Sequence, residues 1–184
     1  MYQNYFDELK ELMTQQGWAR RDTVDGKIYL PPGGPELPPT DMKYFDPAKL
    51  PGIVVDDTQA KLTGKWTPGE GLTNYIGKHY AYASAKSKSS ARFEFTVPAS
   101  GRYDVRFAYQ PHESRASNAP VTVHSADGDK TIRVNERVAP PLPPTFVSLG
   151  VFQFDAGKPG AVEVNCDKAD GGVAIDAIQV LPAP

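Results

Sequence analysis

Apolar and polar residues alternate along two stretches in the middle of the chain. Within residues 102–109, Tyr103, Val105 and Phe107 are separated by charged residues. Phe93 and Phe95 alternate with polar neighbours in the same way. A period of two places all the apolar side chains on one face, which is typical of a strand with one buried and one solvated face. The pattern therefore predicts two half-buried β-strands.

Similar short runs recur from residue 52 to residue 181. Each is rich in β-branched or aromatic residues and is followed by Gly, Pro, Asn or Asp. The runs cover residues 52–55, 80–83, 91–97, 101–109, 120–125, 130–135, 145–154, 160–165 and 172–181. Short connections at 97–101 and 126–129 predict antiparallel hairpins. Since no long helical period intervenes, we expect an all-β fold, an antiparallel two-sheet β-sandwich of about nine strands.

The first 51 residues follow a different pattern. One helical stripe carries five apolar residues, Tyr5, Phe6, Leu9, Leu12 and Met13. Residues 1–20 are therefore predicted to hold a short amphipathic helix, which must dock on the sandwich, on another domain or on another chain because it is marginal alone in water. Residues 21–51 are predicted to be a semi-rigid Pro/Gly-rich linker with a brief strand at 27–30. Residues 52–184 form the predicted sandwich domain.

Composition and charge argue against several partners. The formal net charge is -2, and interspersed charges of both signs offer no basic face for nucleic acid. No apolar run approaches the roughly 20 residues of a membrane span, so no membrane partner is expected, and residues 1–4 lack the pattern of a signal peptide. An extracytoplasmic location is expected only for a chain that is part of a larger secreted protein. The single cysteine, Cys166, is expected to be a small buried apolar residue.

The sequence does not predict an enzyme. Its three histidines, His79, His112 and His124, stand in no nucleophile, zinc or acid-base spacing. A lone histidine is more often a surface or hydrogen-bonded turn residue than a catalytic group. Phosphate-binding glycine motifs are also missing from the sequence. We therefore expect no catalytic residues.

Polar groups that suit sugar recognition concentrate between two predicted strands, in residues 110–118. His112, Glu113, Arg115 and Asn118 supply directed donors and acceptors for hydroxyl groups or for a partner's backbone. The alternative is that Arg115 and Asn118 only tie the loop to neighbouring carbonyls. Trp66 lies in a Gly-rich stretch and could stack on a pyranose ring, although a buried anchoring role is as well supported.

Three acidic residues lie at strand positions where a carboxylate needs a partner. Asp56 and Asp57 end the first run, and Asp176 interrupts the apolar last run. If the first and last strands are neighbours, these acids could share a structural calcium ion with backbone carbonyls. The simpler alternative is that Asp176 caps backbone amides or pairs with an arginine such as Arg115. No other cofactor is expected.

Several motifs, taken in order, resemble the golvesin C-terminal-like domain, also known as the xanthan lyase carbohydrate-binding-like domain. They include Val55-Asp56-Asp57-Thr58, Gly64-Lys65-Trp66, Pro98-Ala99-Ser100-Gly101-Arg102-Tyr103 and Ala174-Ile175-Asp176-Ala177-Ile178. The resemblance covers about residues 53–181. It implies a jelly-roll-like β-sandwich appended to bacterial secreted enzymes, with carbohydrate binding inferred for the group.

A narrower resemblance concerns Pro111-His112-Glu113-Ser114-Arg115 and Pro140-Pro141-Leu142-Pro143. These segments are similar to the C-terminal module of bacterial FAD-dependent oxidoreductases of the planctomycete type. In those proteins a short helix and a proline-bearing linker precede the module. No dinucleotide-binding fingerprint occurs in this sequence, so the resemblance does not imply oxidoreductase activity for it.

Two functional hypotheses follow. The first is a non-catalytic accessory module that binds polysaccharide through residues 110–118 and Trp66. The second is a structural or interaction module that braces a neighbouring enzyme domain, or a second copy of the chain through the N-terminal helix. A lyase or hydrolase acting through His112 and Glu113 is a distant third, since glycosidases need paired carboxylates at a cleft.

Overall fold

A computed structural model describes residues 9, 11–13, 15, 16, 19–23, 26–30 and 44–183. The chain divides into two compact units, Met1–Lys43 and Tyr44–Pro184. Among the described residues, no helix is long and apolar enough to cross a membrane. The predicted boundary between linker and sandwich was at residues 51 and 52, whereas the second unit begins at Tyr44.

The first unit contains a helical segment and a hairpin. Residues 9, 11–13 and 15 are helical, and the Gln16 amide donates to the Leu12 carbonyl at 3.0 Å. Strands β1 (Ala19–Thr23) and β2 (Gly26–Leu30) pair antiparallel. The sequence predicted only one brief strand here, at 27–30. Residues 31–43 of the predicted linker lie outside the described residues.

The second unit is built of short strands and two single-turn 3-10 helices. The helices are η1 (Pro47–Lys49) and η2 (Asp57–Gln59). The strands are β3 (Tyr44–Phe45), β4 (Ile53–Asp56), β5 (Lys61–Thr63), β6 (Thr67–Gly69), β7 (Tyr75–Ile76), β8 (Tyr80–Ala83), β9 (Ser90–Thr96), β10 (Gly101–Ala108), β11 (Ala119–Ser125), β12 (Gly128–Val134), β13 (Phe146–Phe154), β14 (Pro159–Asn165), β15 (Val173–Ile175) and β16 (Ala177–Pro182).

Two antiparallel sheets form the predicted β-sandwich. One has the strand order β13-β10-β16-β4, and the other has the order β12-β11-β14-β9-β5. A single cluster of buried side chains from both sheets fills the space between them. Two small sheets complete the unit, β15-β8-β6 and the parallel pair β3-β7.

The alternation in the sequence correctly predicts which side chains enter the core. Tyr103, Val105 and Phe107 of β10 are buried, as are Phe93 and Phe95 of β9. The hairpin predicted at 126–129 is also present, because Ser125 pairs with Gly128 across a two-residue turn.

The hairpin predicted at 97–101 is wrong. Strand β9 pairs with β14 and β5 in the five-stranded sheet, whereas β10 pairs with β13 and β16 in the four-stranded sheet. The short connection crosses from one sheet to the other. Alternation shows that each strand has one buried face, but a strand in either sheet of a sandwich meets that requirement.

The predicted last strand is divided at Asp176. Its first part, β15, pairs with β8, and its second part, β16, lies between β10 and β4. The predicted proximity of the first and last strands is confirmed, since Ala177 pairs with Asp56. This pairing brings the three predicted acidic residues to one region of the sandwich.

Candidate functional site

A surface groove of about 600 Å³ lies where β3, η1 and η2 meet. Its lining includes one aromatic ring and several polar side chains, Tyr44, Asp46, Asp56, Thr58, Gln59 and Lys78. Tyr44 is 56% exposed although it is a large hydrophobic residue. The groove combines an exposed ring with hydrogen-bonding groups, and sequence reasoning did not find it.

Local capping interactions fix the walls of this groove. Asp46 precedes η1, and its Oδ1 accepts from the Ala48 amide at 3.0 Å. Asp56 precedes η2 and forms a capping box in which the Gln59 Oε1 accepts from the Asp56 amide at 3.2 Å. Carboxylates at these positions satisfy helix-end amides that would otherwise lack partners.

Tyr44 is held by its neighbour in the parallel pair. Tyr44 of β3 pairs with Tyr75 of β7, and the two rings stack with centroids 6.4 Å apart and an angle of 27° between their planes. Tyr75 is only 3% exposed. A buried ring therefore supports an exposed one.

One residue of the groove lining, Asp56, has a buried carboxylate. Asp56 Oδ1 accepts from the Thr58 amide at 3.1 Å and from the Thr58 hydroxyl. Asp56 Oδ2 is buried and has no hydrogen-bond partner among the described residues. It packs against Gly77, where an added Cβ would clash with it and where φ is +75°. Only glycine fits this position.

Two further buried acids, Asp57 and Asp176, form an acidic cluster with Asp56. Asp57 Oδ2 lies 3.2 Å from His79 Nδ1, and burial together with the Asp56 charge raises the pKa of Asp57 to about 8. Both oxygens of Asp176 accept from the Ile76 amide at 3.0 and 3.1 Å, and Oδ2 also accepts from Gln110 Nε2 at 2.9 Å. Burial, reinforced by the charges of Asp57 and Asp56, raises the pKa of Asp176 well above its usual range. Asp176 therefore caps a backbone amide and pairs with an amide side chain, not with an arginine.

The calcium prediction rests on this cluster. Within residues 44–183 and the shorter described segments, no group of three or more His, Cys, Asp or Glu side chains is placed to hold a metal ion. An ion here would need oxygens from other groups, and Gln110 Oε1, which is buried without a partner among the described residues, is one such atom. Calcium at Asp56, Asp57 and Asp176 stays a prediction that calorimetric titration tests.

The predicted binding loop at 110–118 is held by Arg115. This residue is 8% exposed, and its guanidinium carbon lies 4.8 Å from the centre of the Tyr82 ring. Its backbone forms a parallel bridge with Gly172, and its carbonyl accepts from Arg137 Nε at 2.8 Å. Arg115 therefore contacts the interior of the module rather than the solvent.

Asn118 also faces the fold. Its Oδ1 accepts from the Asp170 amide at 3.0 Å, and its carbonyl accepts from Arg133 at 3.2 Å. The more exposed loop residues are His112 and Glu113. His112 Nδ1 lies 2.8 Å from the Ser114 hydroxyl.

Trp66 is half-buried and packs against the main core. Its Nε1 donates to the carbonyls of Thr63 and Ser90, both at 3.1 Å. Strand β6 begins at the next residue, and Thr67 pairs with Tyr82, the residue that Arg115 covers. The geometry of Trp66 is that of an anchor.

The sequence did not predict a fourth buried carboxyl, Glu136. Its side chain is fully buried, and its Oε2 accepts from the Ala174 amide at 2.7 Å. Burial raises the pKa of Glu136 to about 8, against the opposing effects of the Ala174 hydrogen bond and the Arg115 charge. No periodic pattern marks this residue, because it lies in the polar connection after β12.

Residues 53–182 match the model of the Golvesin C-terminal domain. The chain belongs to this family. The match covers most of the second unit and includes Asp56, Trp66, Arg115 and Asp176. No curated protein sequence matches the chain.

Solved structures show the same fold in carbohydrate-active proteins. The golvesin-family chain is similar to Paenibacillus xanthan lyase with 25% identity and a TM-score of 0.65, covering 86% of this chain but only 14% of the lyase chain. A family 35 carbohydrate-binding module from Clostridium thermocellum matches with 15% identity and a TM-score of 0.51, covering 71% of this chain and 98% of the module. A Podospora anserina GH26-CBM35 mannanase matches with 17% identity and a TM-score of 0.51, covering 72% of this chain and 28% of the mannanase.

Proposed function

We propose that this golvesin-family chain is a non-catalytic accessory module that binds polysaccharide. The observation that carries the proposal is the fold of the second unit. It is shared with a free-standing carbohydrate-binding module over 98% of that module's length, and with a small part of a xanthan lyase. A module that forms 14% of a lyase-sized chain suits an accessory role beside a catalytic domain. Such a role would place the module outside the cytoplasm of a bacterium.

The predicted loop would take part through its exposed residues. His112 and Glu113 can reach hydroxyl groups of a ligand, whereas Arg115 and Asn118 hold the loop in place. Trp66 would act as an anchor within the fold, through its hydrogen bonds to the carbonyls of Thr63 and Ser90. An Arg115→Ala change is therefore expected to weaken binding by loosening the loop, together with a loss of stability.

The whole chain is expected to bind at least one polysaccharide without altering it. Affinity electrophoresis on gels that contain mannan, dextran, xanthan or hydroxyethylcellulose should show slowed migration on at least one of them. Reducing-sugar and lyase assays on the same substrates should show no product. Unchanged migration on every gel, or turnover of any substrate, would contradict the proposal.

A second candidate function is to brace an enzyme domain, such as the FAD-dependent oxidoreductase that the sequence resemblance suggests, or a second copy of the chain. The exposure of Leu9 (37%) and Leu12 (50%) on the helical segment favours it. Removing residues 1–20 is then expected to convert a self-associating chain into a monomer. Multi-angle light scattering of both forms measures this, and an intact chain that is already monomeric would argue against self-association.

A further inference from the structure

The groove beside Tyr44 provides a ring surface of the kind that stacks on sugars. Tyr44 is 56% exposed, and the buried Tyr75 ring supports it. Tyr75 in turn contacts Tyr80, with ring centroids 6.0 Å apart. Because the supporting rings are buried, the orientation of Tyr44 is fixed before a ligand arrives, which lowers the entropy cost of binding.

The polar lining of the groove offers both donors and acceptors. The Gln59 oxygen is occupied by the Asp56 amide, so the amide NH₂ remains as a donor. The Thr58 hydroxyl donates to Asp56, so its lone pairs remain as acceptors. Lys78 is exposed and adds further donors. This mixture suits a ligand with several neighbouring hydroxyl groups.

The charges around the groove disfavour an anionic ligand. Two acidic residues, Asp46 and Asp56, line it. Lys78 is the one cationic residue in the lining, and His79 is already paired with Asp57. A uronate or a pyruvylated sugar would bring its carboxylate towards these acids, whereas a neutral sugar would not.

We propose that the Tyr44 groove is the binding site for a neutral hexose unit of the polysaccharide, with the sugar face on Tyr44 and its hydroxyls on Thr58, Gln59 and Lys78. This inference rests on the proposed carbohydrate-binding function. It names a site for one sugar unit, in addition to the loop residues His112 and Glu113, and the class of sugar that this site accepts.

The test compares neutral and anionic forms of the same polymers. The full chain is run on gels that contain hydroxyethylcellulose, dextran or mannan, each beside its carboxymethylated form. Tyr44→Ala is expected to weaken retention by about twofold to tenfold, because it removes the stacking surface. Tyr44→Phe should retain most of the binding. Leu62→Ala is the matched control, since Leu62 on β5 is also exposed (45%) but does not line the groove.

A third variant tests the charge argument. Asp46→Asn keeps a side chain that can cap η1 but removes the negative charge. It is expected to improve retention on the carboxymethylated polymers relative to the neutral ones. Circular dichroism and melting temperatures of all variants should match those of the unmodified chain.

The possible results test the groove assignment separately from the proposed carbohydrate-binding function. If the polymers retain the unmodified chain and the Tyr44→Ala variant equally, the groove assignment is overturned and the proposed function stands. Stronger retention on the carboxymethylated polymers would overturn the ligand class. No retention of the unmodified chain on any of these polymers, nor on xanthan, would overturn both proposals.

Discussion

Replacing Asp176 by alanine is expected to lower the free energy of unfolding by about 2 to 4 kcal/mol. The carboxyl is fully buried and accepts from the Ile76 amide and from Gln110 Nε2. Alanine would leave the Ile76 amide buried without an acceptor, at roughly 1 to 3 kcal/mol, and would leave Gln110 Nε2 with only its longer bond to the Asn74 carbonyl at 3.4 Å. Removing the desolvation cost of this buried carboxyl, which raises the Asp176 pKa, offsets part of this loss. Urea unfolding followed by fluorescence measures the difference.

The matched control is Asp129→Ala. Asp129 is an exposed acid on β12 whose carboxylate lies 2.7 Å from His124 Nδ1. Its removal is expected to cost less than about 1 kcal/mol, as is usual for exposed ion pairs. An Asp176→Ala protein as stable as the Asp129→Ala protein would show that Asp176 does not hold the junction between β15 and β16.

The sequence predicted the main strands well because their buried faces impose a period of two. Phe93 and Phe95, like Tyr103 and Phe107, reach the core as expected. Alternation could not assign these strands to a sheet, so the connection at 97–101 was predicted to be a hairpin. Strands of two or three residues, such as β3 and β7, were missed because they are too short to show a period.

The candidate site was harder to predict, because its parts come from distant positions. Tyr44 lies within residues 21–51, which the sequence marked as linker, and its partner Tyr75 lies in an irregular stretch. The signal available was Asp46-Pro47, a capping residue followed by the proline that often begins a helical turn. Nothing in the sequence showed that this turn would meet η2.

The predicted loop illustrates the opposite problem. This connection holds four polar residues, a composition that suits sugar recognition: His112, Glu113, Arg115 and Asn118. The fold uses Arg115 on Tyr82 and Asn118 on the Asp170 amide to hold that connection. A long polar side chain in a loop can satisfy buried groups as well as it can bind a ligand, and sequence does not distinguish the two.

The buried acids also connect stability to pH. Asp57 and Glu136 have pKa values raised from 3.8 and 4.5 to about 8, mainly by burial. Each therefore binds a proton more tightly in the folded chain than in the unfolded chain. Between about pH 4.5 and pH 8 the folded state holds the extra protons, so the free energy of unfolding should fall as pH rises through this range. The carboxyls whose pKa is lowered, Glu94 and Asp170, are already ionised in both states there.

The expected slope is roughly 1.4 kcal/mol per pH unit for each extra proton held. Glu136→Gln removes one titrating group while keeping an oxygen that can accept from the Ala174 amide. We expect this variant to show a shallower decline between pH 5 and pH 8 than the unmodified chain, whatever its absolute stability. Urea unfolding in EDTA at pH 5, 6, 7 and 8 measures both slopes. Glu113→Gln, at an exposed position, is the control and should keep the original slope. Equal slopes for the Glu136→Gln and Glu113→Gln proteins would mean that Glu136 ionises in the folded chain as readily as in the unfolded one.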